Sequence, residues 1–293
     1  MKRSWSEKSF QRLFQGFDSL ILQKVLFIGG QSHFPSVRIR CVEIAKAIGC
    51  DYVTDLNSIS DISSDKEIFI CIKPLLSEES LEKLQKRGIV IWDIHDNYCP
   101  RHFVDYYLVS SKGAYQKFCR YGKTYLIPHH HCNFSGFPNP RQLPKKPTWI
   151  GSLEWVPRDL PFDFDVYNSK QMTTQDVSNI YARSSILLNL RSSVSRTSES
   201  LSEHIRINPG IKLINSIGFG VPSISNPEPA YLEIGPECTI VVNSNEDCKN
   251  WVARLQEDDN LYNQLRNNCI LKAHQYSLSA IAIKYLDFLT CKI

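Results

Sequence analysis

The chain has 293 residues, 42% of them apolar and 22% charged, with a net charge of +4. At about 150 residues per domain this length predicts two domains. The composition excludes a disordered chain, a collagen-like repeat and a disulfide miniprotein. No apolar run reaches the length of a membrane span, and the first 20 residues mix charges with aromatics instead of forming a signal-peptide core. The mildly basic balance suits a phosphate-bearing partner without requiring nucleic acid. None of the ten cysteines forms C-x-x-C or a zinc-ribbon spacing, which points to reduced, mostly buried thiols and a cytoplasmic location.

Residues 1–23 predict a leading helix. Phe10, Leu13, Phe14, Phe17, Leu20 and Ile21 recur at three- and four-residue steps. Docking on its own domain is one reading of this stripe; peripheral membrane contact, favoured by its basic and aromatic residues, is the other. An α/β alternation follows. Lys24–Gly30 reads as a buried parallel strand feeding a loop, Val37–Ile48 as a helix, Asp51–Thr54 as a short strand and Glu67–Lys73 as a stronger one. Ser77 caps a helix to Lys86, and Gly88–Asp93 is another buried strand. Tyr106–Ser110 and Tyr125–Pro128 complete the sheet around a helix at Gly113–Arg120.

Residues 134–147 hold four prolines and predict the domain linker. A second α/β rhythm opens at Thr148–Gly151. It continues with a helix over Thr174–Arg183, a strand over Ser185–Leu190, a helix over Ile211–Gly218 with Pro209 in its first turn, and strands at Pro222–Ser225 and Thr239–Val242. Ser244–Asp247 reads as a capping box, and Ser277 opens a last helix through Leu289. The predicted fold class is α/β: two Rossmann-like doubly wound domains facing a cleft, an N-terminal one over 1–140 and a C-terminal one over 147–276, followed by a closing helix over 277–293.

Ligands of such sheets bind at the C-terminal ends of strands, and five groups of residues fall there. Gly29 and Gly30 end the first strand and let a substrate approach the backbone, with Arg38 and Arg40 just beyond as anion-binding candidates. Asp93, His95 and Asp96 gather three titratable groups at a strand end, His95 and Asp96 being the functional candidates and loop capping the alternative. His129 and His130, in His129–Cys132, are wall positions of the cleft; consecutive imidazoles point to opposite faces and make a poor metal site. Arg206 and Lys212 flank the start of the Ile211 helix. Cations oppose the macrodipole there, an arrangement that makes sense if an anion shares the site. Arg191 ends the Ser185 strand and aims at the same cleft. Solvent exposure is the plain alternative for each of these cations.

Lys212-Leu-Ile-Asn-Ser-Ile-Gly-Phe-Gly-Val-Pro-Ser-Ile, followed by Pro227-Glu-Pro-Ala-Tyr-Leu-Glu233, resembles the donor-binding segment of GT-B glycosyltransferases and is most similar to the retaining, family-4-like group. Tyr181–Arg191, Thr239–Val242, His274–Leu289 and Asp93-Ile-His95-Asp96 resemble further segments of that family in the same order. The resemblance implies an enzyme that moves a sugar from a nucleoside-diphosphate sugar without a metal or cofactor. The acceptor, which the sequence leaves unnamed, would be a glycan, a lipid-linked sugar or, less in keeping with the composition, DNA or protein. His95, Asp96, Arg206 and Lys212 are the catalytic positions so implied. Gly30, Arg191, Asn215, Glu228, Pro229, Ala230, Tyr231 and Glu233 are the donor positions, and Arg38, Arg40, His129 and His130 line the acceptor side or the cleft. Asn215 stands where the family usually has a glutamate for the ribose hydroxyls, and Ile207 where it has the other member of its glutamate pair. A non-catalytic GT-B-like glycan- or protein-binding module and a DNA-modifying glycosyltransferase are the competing readings. A nicotinamide enzyme is disfavoured by the missing G-x-G-x-x-G.

Overall fold

The computed structural model describes residues 19–95, 99–138, 146–191, 203 and 205–293. The chain divides into two compact units. The first contains the described residues up to Ser110, Tyr115–Pro128 and Leu278–Ile293; the second contains Ser111–Ala114 and the described residues of His129–Ser277.

In the first unit α1 (Ser19–Lys24) leads into β1 (Val25–Gly29). The aromatic stripe from Phe10 to Phe17 lies outside the described residues. Three contiguous helical segments, Pro35–Val37, Arg38–Glu43 with π-type bonding and Ile44–Ile48, form α2. Then come β2 (Asp51–Val53), β3 (Ile68–Ile72), α3 (Glu78–Gln85), β4 (Ile89–Asp93), β5 (Tyr106–Val109), α4 (Lys112–Phe118, of which Tyr115–Phe118 belong to this unit) and β6 (Lys123–Leu126). The six strands are parallel, in the order β2-β1-β3-β4-β5-β6. Strands covered on both faces need unbroken apolar runs, and β1 and β3 are buried at every position. Their core joins Val25, Phe27, Ile70 and Ile72 to Cys41, Ile44 and Ile48 of α2. Ile281, Tyr285 and Leu289 of α10 (Leu278–Cys291) join the same core, so the last helix of the chain completes the first unit. Each such side chain contributes about 1.5–3 kcal/mol through burial.

The second unit runs β7 (Pro147–Gly151), β8 (Asp165–Asn168), α5 (Thr174–Arg183), β9 (Ile186–Asn189), α6 (Ile211–Phe219), β10 (Ser223–Ser225), α7 (Pro229–Ile234), β11 (Thr239–Val241), α8 (Asn245–Glu257) and α9 (Asp259–Ala273). Its strands are parallel, in the order β11-β10-β9-β7-β8. Leu188, Ile224 and Trp149 pack with Val252 and Leu255 of α8 on one side. On the other, Leu213, Ile214 and Ile217 of α6 pack with Tyr231 of α7 and Cys269 of α9. All ten cysteines are free; seven are buried, and Cys99, Cys119 and Cys291 are exposed.

Three local features depart from the sequence expectations. The change of unit falls between Pro128 and His129, ahead of the proline-rich stretch, of which 139–145 lie outside the described residues. Backbone bonds hold His129–Cys132 to the second unit: His131 N donates to Tyr276 O, and Cys132 N donates to Asn215 Oδ1. Pro209 is not in the first turn of α6. Gly210 is its N-cap at φ +66°, with Cβ space filled by Ile234 Cδ1 at 2.4 Å, so a side chain there would be both strained and blocked. Finally, the box at α8 is one-sided: Ser244 accepts Asp247 N, whereas the reciprocal capping box is at α5, between Thr173 and Asp176.

Candidate functional site

The C-terminal edge of the second sheet concentrates opposite charges. Ser225 pairs with Asn189, which brings the chain beyond β10 and the chain beyond β9 to one place. There Arg191 Nε donates to Glu228 Oε1 at 2.6 Å, and Arg191 N donates to Asn226 Oδ1 at 2.7 Å. Glu228, 2% exposed, also accepts Asn208 Nδ2 at 2.6 Å through Oε2. Asn208 in turn accepts Gly210 N at 3.3 Å, tying this carboxylate to the start of α6.

Lys212, in the first turn of α6, completes the group. Its Nζ lies 4.5 Å from the centroid of the Trp149 ring, within cation–π range. Trp149 is held in turn by its own Nε1–H, which donates to Leu190 O at 2.9 Å. Burial, and then the neighbouring Arg191, pull the Lys212 ammonium down to about 7, with Glu228 opposing them. Arg191 is neutralised by Glu228, whereas the Lys212 ammonium has no hydrogen-bond partner among the described residues. A poorly solvated cation in the first turn of a helix is an arrangement that suits an anion.

The first unit holds a second cluster at the end of β4. Asp93, wholly buried, receives Arg40 Nε at 3.0 Å and Tyr285 OH at 2.5 Å on Oδ2. Arg40 Nη2 at 2.9 Å and His95 Nε2 at 3.1 Å reach Oδ1. Burial works against the Asp93 carboxylate, but Arg40 and then His95 outweigh it and hold the group at about 2. Asp96 lies outside the described residues.

Several sequence candidates have other work. Arg40, expected on the acceptor side, is fully buried. Besides Asp93 it donates to Ile127 O and Pro128 O at 2.7 and 2.9 Å, so it ties α2 to the end of β6. Arg38 is half-buried, 3.7 Å from Glu43. Gly30 is glycine because a Cβ would stand 2.0 Å from Lys73 O. His129 and His130 are buried, and His130 Nδ1 lies 3.0 Å from His131 O. Burial, with His130 beside it, depresses His131 to about 4, which keeps that ring neutral. Arg206 is exposed, in a helical segment that ends at Ile207. Asn215 faces inward, and its Oδ1 takes Cys132 N at 3.0 Å. Pro229 opens α7, while Ala230 and Tyr231 belong to the core. Glu233 Oε2 accepts Lys112 N at 3.0 Å, within the second unit.

Asn208, Asn226, Trp149 and Tyr285 are the site residues that sequence reading missed. Asn208-Pro209 and Asn226-Pro227 are turn dipeptides beside the donor-like segment, a signal that was there to be used. Among the described residues no group of three or more His, Cys, Asp or Glu is placed to hold a metal ion, and no helix is long and apolar enough to cross a membrane.

Solved structures place this architecture. A glycosyltransferase from Rickettsia africae superposes with a TM-score of 0.63 at 10% identity, over 91% of this chain and 98% of that one. Sucrose-phosphate synthase from Thermosynechococcus elongatus gives 0.60 at 12% identity, over 90% and 97%. The chain has the GT-B fold. HepE from Anabaena, solved in complex with UDP and glucose, gives 0.55 at 11% identity, over 92% and 99%. No protein-family model matches the sequence, and no curated protein matches it.

Proposed function

We propose that this protein is a glycosyltransferase that takes its sugar from a nucleoside-diphosphate donor. The observation that carries the reading is the Lys212–Trp149 contact beside the Arg191–Glu228 pair, at the N-terminus of a helix in a GT-B fold. A diphosphate leaving group gathers negative charge as its bond to the sugar breaks. A preorganised ammonium and helix amides oppose that charge with little reorganisation, usually the largest catalytic term. Glu228 and Asn208 fix Arg191 so that its remaining donors keep one orientation. The HepE structure holding UDP and glucose favours a uridine donor among the candidates. Transfer without metal follows from the same cationic site, and retention from the likeness of Lys212–Glu233 to the family-4-like donor segment.

The test is calorimetric titration with UDP, ADP, GDP and their glucose conjugates in the presence of EDTA, followed by product analysis with the donor that binds. Binding of one diphosphate series, abolished in Lys212→Ala, is the expected result. A folded protein that binds none of them would refute the reading.

A further inference from the structure

The Asp93 cluster does more than bury an ion pair. A carboxylate offers about four acceptor positions, and all four of Asp93 are filled: two by Arg40, one by Tyr285 and one by His95. With Arg40 fork-paired to it, the carboxylate carries no proton to donate. The 3.1 Å contact with His95 is then a hydrogen bond only if His95 Nε2 carries the hydrogen. Arg40 cannot follow a displaced carboxylate, because its other amino group is anchored on Ile127 O and Pro128 O. Tyr285 comes from α10, 192 residues away in sequence, and its hydroxyl donates to Asp93 Oδ2. Three elements, α2, β4 and α10, thus meet on one carboxylate whose remaining contact is His95.

We infer that Asp93, steadied by Arg40 and Tyr285, is the positioning device of His95: it fixes the imidazole as the Nε2–H tautomer, so that any proton His95 takes up or releases moves at Nδ1. The inference rests on the glycosyltransferase reading for the use of His95 in transfer, whereas the tautomer itself does not. Asp93, Arg40 and Tyr285 are positioning residues. None needs to touch substrate for its loss to be felt, because a ring free to flip presents the wrong nitrogen.

The experiment uses the full chain labelled with ¹⁵N-histidine, with the His95 ring signals identified by their loss in His95→Gln. In native protein at pH 8 we expect Nε2 protonated and Nδ1 bare, as a single tautomer. Tyr285→Phe, which removes one hydroxyl, should leave the fold intact and mix the tautomers. Asp93→Asn should shift the ring toward Nδ1–H. Native His95 in the Nδ1–H form, or a Tyr285→Phe spectrum identical to native, would overturn the inference even if Asp93→Asn does not fold. In the transfer assay, Tyr285→Phe should lower kcat by about tenfold with donor KM unchanged. A purely structural role would lower Tm and leave kcat alone below Tm. A fixed Nε2–H tautomer in a protein that turns over no sugar nucleotide would count against the transferase reading and not against the tautomer.

Discussion

Lys212 rests its ammonium 4.5 Å above the Trp149 ring, and no carboxylate shares a hydrogen bond with it among the described residues. A lysine so placed loses water without gaining a salt bridge, and its ordinary value of 10.5 falls to about 7. The unfolded chain therefore binds more protons at this group between pH 7 and 10.5. The group costs stability in full below about pH 7, and that cost fades as pH rises to 10.5. Lys212→Met should raise Tm at pH 6.5 by more than at pH 10. Equal offsets at both pH values would show that the ammonium is not desolvated.

An anion in the site reverses this balance, because a phosphate favours the ammonium. Binding of UDP at pH 8 should take up protons, visible as a dependence of the calorimetric enthalpy on the buffer's ionisation enthalpy. Affinity should weaken above pH 7, approaching about tenfold per pH unit. Lys212→Arg, always charged, should abolish that pH dependence. A UDP affinity flat from pH 6.5 to 9 would place the diphosphate away from Lys212.

Glu228 is nearly inaccessible and answers both Arg191 and Asn208. Taking away one partner of a buried pair leaves the other charge uncompensated. Glu228→Leu should destabilise by about 3 kcal/mol in urea unfolding. Arg191→Met should cost less, because the side chain it removes is more accessible than Glu228 (15% against 2%). A smaller loss for Glu228→Leu than for Arg191→Met would contradict the bonding described for the carboxylate.

The family resemblance makes Asn215 look like a weakened ribose ligand, and reverting it to glutamate looks like a repair. The structure predicts the opposite. Asn215 is 8% exposed, and its Oδ1 accepts the amide of Cys132. Asn215→Leu should cost about 1–3 kcal/mol by removing that buried hydrogen bond. Asn215→Glu should destabilise without tightening UDP binding. A tenfold tighter UDP complex in Asn215→Glu would restore the ribose role.

Most elements were legible because each rests on a local signal. Continuous apolar runs marked β1, β3 and β9, and Ser77 and Ser244 both cap their helices as the residue pattern indicates. The places of Arg191 at a strand end and Lys212 at a helix start were also legible, whereas Glu228 came only from the family resemblance. What was not legible depends on distant partners. Arg40 looked like a free cation one turn past a glycine loop, but its counterion lies 53 residues on, in Asp93. Tyr285 looked like one more apolar position of the last helix. Gly30 suggested ligand approach, whereas the atom that excludes its Cβ is the carbonyl of Lys73. Composition and periodicity report which face of an element is buried, not which polar group waits there.

Asp93 has a consequence for acid stability. Its folded value of about 2 lies below the ordinary 3.8, so the unfolded chain takes up a proton at this group first as pH falls. The group stabilises the fold above about pH 4, and that contribution is lost as pH drops toward 2. Asp93→Asn leaves the buried Arg40 guanidinium without its counterion, so the variant should be less stable than the native chain at pH 5. It should also lack the part of the native chain's decline between pH 4 and 2 that Asp93 causes, and the two urea midpoints should converge as the medium is acidified. Parallel midpoints across that window would mean that Asp93 titrates alike in both states, and the saturated carboxylate between Arg40, Tyr285 and His95 would then have to be given up.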